Sequence, residues 1–484
     1  MNINTDNIIL RTDGYKVLQY KQYPPKTTKV FSYGASRGSK YTDKTLFAGL
    51  QYYLKANLAK PLTHADIDFA KIVLDAYGTG FNEAGWRYIV DKHNGIFPLR
   101  IRSLPEGTIV PTGTVLYTVE NTDKECFWLV SYLETAILRD VWYMTTVATN
   151  SRLCKEVILE GLEKTSDNAA DQEVMFKLHD FGARGVSSHE SAGMGGLSHI
   201  INFNGSDTLE GITFAMKYYD APVSAFGIPA SEHSTITSWG RNGEYDAYAN
   251  MVEQFAKPGA IFACVSDSYN IYEAARGWAT SGLLDKVKEK GAIAVIRPDS
   301  GDAMTVPIKI IEILMEEVGY TVNSKGFKVL PDHVRVIQGD GINRESLKVL
   351  VQNMIDAGLS LSNLAFGMGG GLLQHVNRDD LKFAQKCSAA QVAGVWRDVY
   401  KDPVDSPDKK SLKGRLSVIR NVETGEYRNH VTDYPIPEGF EDAMVIVYDN
   451  GIVDSAMLTL EQVRANSNKW LTLQHSKTRM ALLT

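Results

Sequence analysis

Cysteine is scarce. The 484 residues contain four, Cys126, Cys154, Cys264 and Cys387, and none forms a CxxC pair or a zinc-finger spacing. Thiols this few and scattered argue against a disulfide framework and favour a reducing, cytoplasmic setting. Long apolar runs are missing too. No segment approaches the ~18 uninterrupted apolar residues of a membrane span. The N-terminal MNINTDNIILRTDG is broken by Asp6, Arg11 and Asp13 and has no signal-peptide core. Positive charge is not in excess: the net charge of −6 speaks against bulk nucleic-acid binding while leaving room for a local phosphate pocket. Familiar nucleotide signatures are also absent. There is no GxGxxG loop, no Walker GxxxxGK followed by Ser or Thr, and no HRD loop ahead of Asp180. The tripeptide DFG at 180–182 is therefore no sign of a kinase, and a dinucleotide oxidoreductase is disfavoured.

What is present is ordinary globular material, 44% hydrophobic and 22% charged, enough for two or three domains. In the middle of the chain a rhythm recurs. AIFACVSDSYN, AIAVIRPDSGD, VRVIQGDG and NLAFGMGGG are apolar, β-branched runs ending in polar residues. Helical patterns lie between them. The clearest is NRESLKVLVQNMIDAG, where Leu347, Leu350, Val351, Met354 and Ile355 keep one face, Asn343 can cap the start and Gly358 the end. Buried strand, polar turn and helix in alternation predict a parallel sheet, as a (β/α) barrel or a doubly wound fold. The landmarks Phe181, Asp207, His233, Asp267, Asp299, Asp340 and Gly369 follow one another at 26 to 41 residues, about one βα unit each. Both folds gather such residues at the C-terminal ends of their strands. The expected organisation is an α/β domain from 1–150 packed with 385–484, and a barrel domain over 151–384.

The residues at those positions suggest a ligand. Phe181 can stack on a flat heterocycle and Arg184 can grip phosphate, with Gly182 and Gly185 permitting close approach. FGMGGG offers backbone N–H groups at a helix start. Asp267, Asp299 and Asp340 can accept ribose hydroxyls, or hold magnesium through water. Each has a blander reading: a core phenylalanine, a surface arginine, a tight turn, a helix cap. The same holds for His233, which has no second histidine at metal spacing, and for Asp207, which can cap a helix. Together they describe a ring, a ribose and phosphates: a nucleotide, or a phosphoribosyl donor plus a base.

Over nearly its full length the chain closely resembles the nicotinamide phosphoribosyltransferase family. The resemblance rests on TDGYKVLQYKQYPP, LHDFGARGVSSHE, NFNGSDT, PASEHSTITSWG, VSDSYNIY, IRPDSGD, VIQGDG, AFGMGGGLLQ and KDPVDSPDKKSLKGR. It implies a barrel-type phosphoribosyltransferase that joins nicotinamide to 5-phosphoribosyl 1-pyrophosphate (PRPP), giving nicotinamide mononucleotide and pyrophosphate, with magnesium. It implies a homodimer with shared active sites, in which Phe181 and a second subunit's Tyr15 sandwich nicotinamide and Asp207 accepts its carboxamide N–H. Arg184 and His233 resemble the pyrophosphate-side residues, and Arg297 and Asp299 those lining base and ribose. Gly339, Asp340, Gly369 and Gly370 resemble the ribose and 5′-phosphate contacts. Arg378, Lys386 and a second subunit's Arg37 resemble further phosphate ligands. The family also couples ATP to turnover through a phosphohistidine at the position of His233. No direct metal ligand is implied. Ala183 stands where relatives carry a bulkier aromatic residue, and Met368 lies within FGMGGG. The alternatives are a nicotinate phosphoribosyltransferase, against which Asp207 argues, and a non-catalytic, cytokine-like binding protein, against which the complete residue set argues.

Overall fold

A computed structural model describes residues 5–405 and 410–469. Part of the KDPVDSPDKKSLKGR stretch and residues 470–484 of the expected C-terminal segment lie outside the described residues. The chain groups into two compact units. One contains the residues up to Thr149, Ala215–Ala221 and the chain from Asn377 onward; the other contains Asn150–Phe214 and Pro222–Val376.

The first unit is built around an antiparallel six-stranded sheet in the order Val395–Asp398, Ala384–Val392, Thr27–Ala35, Val115–Asn121, Leu99–Ser103, Val445–Asp449. Thr27–Ala35 pairs with Ala384–Val392, so N- and C-terminal chain segments share one sheet. The second junction falls at Val376/Asn377, where the sequence suggested 384/385. The reason is packing: Leu381 and Phe383 are buried in the core of the first unit, and the Arg37 N–H donates to the Leu381 carbonyl. The excursion 215–221 is likewise held there. Gln51 Nε2 donates to the Tyr218 carbonyl at 2.8 Å and the Tyr219 hydroxyl to Glu106 at 2.6 Å.

The second unit is a parallel barrel. Its sheet runs Gly205–Ser206, Leu178–Asp180, Leu364–Met368, Val334–Gln338, Ile293–Arg297, Ile261–Val265, with every pairing parallel. Segment 226–231 bridges the two edges. Phe226 pairs with Gly205 and Ala230 with Ala263, both parallel. The ring of seven staves is thereby closed in strict chain order. Helices such as Ile271–Thr280, Val306–Val318 and Arg344–Asp356 follow the staves. The last is capped by Asn343 and ends before Gly358, as its pattern predicts. One residue from each of five staves, Ile228, Ala263, Val295, Ile337 and Ala365, packs into an apolar plug inside the ring, and Phe181 rests against it. Buried apolar runs of this kind are what a parallel sheet covered on both faces requires.

Candidate active site

All seven sequence landmarks fall immediately beyond a stave: Phe181 after Asp180, Asp207 after Ser206, His233 after 231, Asp267 after Val265, Asp299 after Arg297, Asp340 after Gln338 and Gly369 after Met368. The barrel therefore collects them on its C-terminal rim, where such folds place their chemistry.

The Phe181 ring is seated by glycines. A Cβ on Gly367 would stand 1.9 Å from Phe181 Cε2, so the ring lies flush on that strand backbone. From the neighbouring strand end Gly339 faces three groups at once: a Cβ there would meet Asp299 Oδ1 at 3.3 Å, Phe181 Cε2 at 3.4 Å and Arg297 Nε at 3.6 Å. Arg297 and Asp299 form a two-point pair, Nη2 to Oδ2 at 3.1 Å and Nε to Oδ1 at 3.4 Å. The guanidinium carbon of Arg297 is 6.0 Å from the centre of the Phe181 ring, the outer range of a cation–π contact.

Beside this lies the histidine. His233 opens the short helix His233–Thr237. Its Nε2 is 2.8 Å from Asp267 Oδ1, and its Nδ1 is 3.9 Å from Asp299 Oδ2. Asp267 was expected to meet substrate. Instead its side chain is only 3% exposed and its acceptors are taken. Oδ2 accepts the Asp299 N–H at 3.0 Å and the Ser300 hydroxyl. Burial raises the Asp267 carboxyl, but these hydrogen bonds, from Ser300, His233 and Asp299, hold it below the ordinary carboxylate range. Asp267 thus fixes the imidazole ring, as the acid of a catalytic triad does.

Asp207 lies exposed at the rim. Its N–H donates to the Asp180 carbonyl at 2.9 Å. Enclosure by protein raises its carboxyl, opposed by His179 and Arg297. Arg184 is exposed in the turn Ala183–Gly185, and a Cβ on Gly185 would strike Gln374 Oε1. Asp340 is exposed on the adjoining strand end, and Gly369 and Gly370 start the one-turn helix Gly370–Leu373.

The remaining predicted residues belong to the other unit. Tyr15 is 68% exposed, with Lys16 Nζ 5.5 Å from its ring. Arg37 Nε donates to the Lys382 carbonyl at 3.0 Å. Arg378 is exposed beside Asp379. Lys386 has its pKa lowered by burial, with Glu134 opposing and the cations Arg37, Lys401 and Lys16 adding to the shift. That concentration of positive charge suits an anion.

Among the described residues no three His, Cys, Asp or Glu side chains converge on a metal position. Sequence reasoning missed Ser300, Gly367 and Asp180. Ser300 adjoins a predicted acid, and Asp180 belongs to the DFG set aside as coincidence.

Solved structures share this fold. A nicotinate-nucleotide pyrophosphorylase from Pyrococcus furiosus superposes with a TM-score of 0.64 at 15% identity, covering 98% of this chain and 97% of that one. Human nicotinic acid phosphoribosyltransferase superposes at 0.59 and 16%, covering 96% and 94%. Residues 176–450 match the nicotinate phosphoribosyltransferase (NAPRTase) family, and 7–101 match the nicotinamide phosphoribosyltransferase N-terminal domain. A nicotinamide phosphoribosyltransferase of Xanthomonas campestris is 52% identical over 466 residues, 96% of this chain and 98% of that protein. One of Acinetobacter baylyi is 30% identical, covering 85% and 88%. The chain belongs to the nicotinamide phosphoribosyltransferase family.

Proposed function

We propose that the chain transfers the 5-phosphoribosyl group of PRPP to nicotinamide, forming nicotinamide mononucleotide and pyrophosphate in NAD salvage. The observation that carries this reading is the convergence of Phe181, Asp207 and the Arg297–Asp299 pair at one barrel rim, in a chain 52% identical to a relative bearing that name. Nicotinamide stacks on Phe181 and donates its carboxamide N–H to Asp207. Nicotinate would set a carboxylate against that acid, and like charges at such a distance discriminate strongly. The pyridine nitrogen attacks ribose C1 as the C1–O bond to pyrophosphate breaks, the electron pair leaving with pyrophosphate. Arg297 and Asp299 line base and ribose. Arg184 and His233 meet the pyrophosphate, while Gly339, Asp340, Gly369 and Gly370 hold ribose and 5′-phosphate. Positioning and fixed charges supply most of the acceleration.

The same reading extends to a homodimer in the cytoplasm, with Tyr15 of the partner subunit covering the free face of the base. Arg378, Lys386 and Arg37 of the partner subunit bind phosphate. Magnesium fits as an ion borne by PRPP, because Asp267 is fully engaged and Asp299 is paired. Asp299 or Asp340 would hold it through water, and it would neutralise the leaving pyrophosphate. ATP coupling runs through His233. With Nε2 held by Asp267, Nδ1 is the nitrogen available to take the γ-phosphoryl group, releasing ADP. The test is incubation with PRPP, magnesium and equal nicotinamide and nicotinate, with and without ATP. Nicotinamide mononucleotide as the main product supports the reading. Nicotinate mononucleotide as the main product overturns the base specificity. No product from either base favours a non-catalytic role.

A further inference from the structure

Asp180 ends the strand Leu178–Asp180 and is fully buried, 0% exposed, beneath the rim. It is assigned no substrate contact, yet it ties together the two groups assigned to the base. Its Oδ1 accepts the Gly182 N–H at 2.7 Å, closing a tight turn with Phe181 at its apex. The turn is anchored on its other side by the Phe181 N–H, which donates to the Met368 carbonyl at 3.0 Å. The backbone carbonyl of Asp180 accepts the Asp207 N–H at 2.9 Å. The stacking ring and the selecting carboxylate are thus both referred to one residue.

The second carboxyl oxygen is the unusual feature. Asp180 Oδ2 is buried and has no hydrogen-bond partner, and the same is true of the Thr208 hydroxyl, one residue beyond Asp207. The Thr208 hydroxyl acts on the Asp180 carboxyl and lowers its pKa, but the contact falls short of hydrogen-bond geometry. A buried, half-satisfied acid is costly. Asparagine would offer the same acceptor to Gly182 and a donor toward Thr208. Two more acids, Asp207 and Glu210, face it.

We propose that Asp180 is a positioning residue of the base pocket, holding the Phe181 turn and the Asp207 backbone in register so that a flat base meets ring and carboxylate together. This rests on the nicotinamide reading above. In Asp180→Ala the Phe181 turn loses its side-chain tie while the Asp207 N–H keeps its bond to the residue-180 carbonyl, so the ring shifts relative to a carboxylate that stays in place. In Asp180→Asn the acceptor for Gly182 remains.

The experiment compares the wild type with both variants. Steady-state kinetics give KM for nicotinamide, KM for PRPP and kcat, and hydrogen exchange is followed in peptides covering 178–185 and 204–209. In the Ala variant the nicotinamide KM is expected to rise by about 10-fold or more, from lost stacking and lost alignment. The PRPP KM and kcat at saturating base stay within about 3-fold, and the 178–185 peptide exchanges faster while 204–209, whose backbone bond to residue 180 remains, changes less. Asp180→Asn restores the nicotinamide KM to within about 2-fold. A merely structural role would lower melting temperature and active fraction while leaving the nicotinamide KM unchanged, and that result overturns the proposal. So does an Asn variant as impaired as Ala. Should the Ala variant fail to fold, Asp180→Cys fills more of the space without a useful acceptor and carries the same expectation. A wild type that makes no nicotinamide mononucleotide overturns the functional reading instead. The exchange data then decide alone: unchanged exchange of 178–185 in the Ala variant refutes the tie at Asp180.

Discussion

Replacing Gly367 by alanine tests the ring platform without touching the ring. The new methyl carbon would lie 1.9 Å from Phe181 Cε2, 2.4 Å from Cδ2 and 2.8 Å from Cζ. Ordinary carbon–carbon contact begins near 3.5 Å, so about 1.5 Å of separation must be found. The strand cannot supply it. Leu364–Met368 is paired on one side with Leu178–Asp180 and on the other with Val334–Gln338, and a shift would break both ladders. The ring moves instead, away from the backbone and toward the space the base should fill. Lost stacking, worth about 0.5–1.5 kcal/mol, alone raises the nicotinamide KM about 2- to 13-fold. Intrusion into the base position carries the total to about 10–100-fold. Initial rates at saturating PRPP give KM and kcat, and thermal melting confirms that the variant is folded. The decisive arm is the double-mutant cycle with Phe181→Ala. Without the ring the three nearest contacts of the added methyl are gone, so Gly367→Ala should change the nicotinamide KM of Phe181→Ala by less than about 2-fold. Equal losses in both backgrounds, or no loss in the wild type, would refute the seating of Phe181 on Gly367.

Three further outcomes are expected. Asp267→Asn leaves His233 without its anionic partner, so ATP-dependent stimulation should fall by about 10²-fold or more while turnover without ATP changes by only a few-fold, read by ADP release against mononucleotide formation. Asp207→Asn replaces the repelling carboxylate by an amide that can donate to nicotinate, and competition between the two bases should show discrimination reduced by at least about 10-fold. Burial raises the Asp180 carboxyl from 3.8 to about 6, with Asp207 and Glu210 adding to the rise, so the folded barrel holds a proton that the unfolded chain releases. That contribution is complete below pH 4 and is lost as pH climbs through 6. Asp180→Asn escapes it, so its stability advantage in denaturant unfolding should grow from near zero at pH 4 to at most about 3 kcal/mol at pH 7.5. A constant difference across that range would contradict the assignment.

The rim was legible in the sequence because parallel staves are buried on both faces and read as apolar runs, so the first polar residue after each run marks a strand end. The closing stave 226–231 left no such mark. It pairs through only two isolated bridges and contains Pro229, and His233 betrayed it only by spacing. Glycines were read for the wrong partner in part. FGMGGG suggested a phosphate cradle, yet Gly367 makes room for a phenylalanine about 190 residues earlier in the chain, a contact no local pattern contains. Asp267 looked like Asp299 and Asp340 in format. Only the structure shows that it serves His233, because side-chain direction at a strand end depends on neighbouring staves. The junction at Asn377 was obscured because Arg378 and Lys386 sit among predicted ligands, while Leu381 and Phe383 between them are core residues of the other unit.

The rim contacts also form a continuous chain from histidine to base platform. His233 Nε2 meets Asp267, Asp267 accepts the Asp299 N–H, Asp299 pairs with Arg297, and Arg297 lies over Phe181. His233 Nδ1 is itself 3.9 Å from Asp299 Oδ2. A phosphoryl group on Nδ1, as the proposed ATP coupling requires, would bring negative charge against that carboxylate and weaken its claim on Arg297.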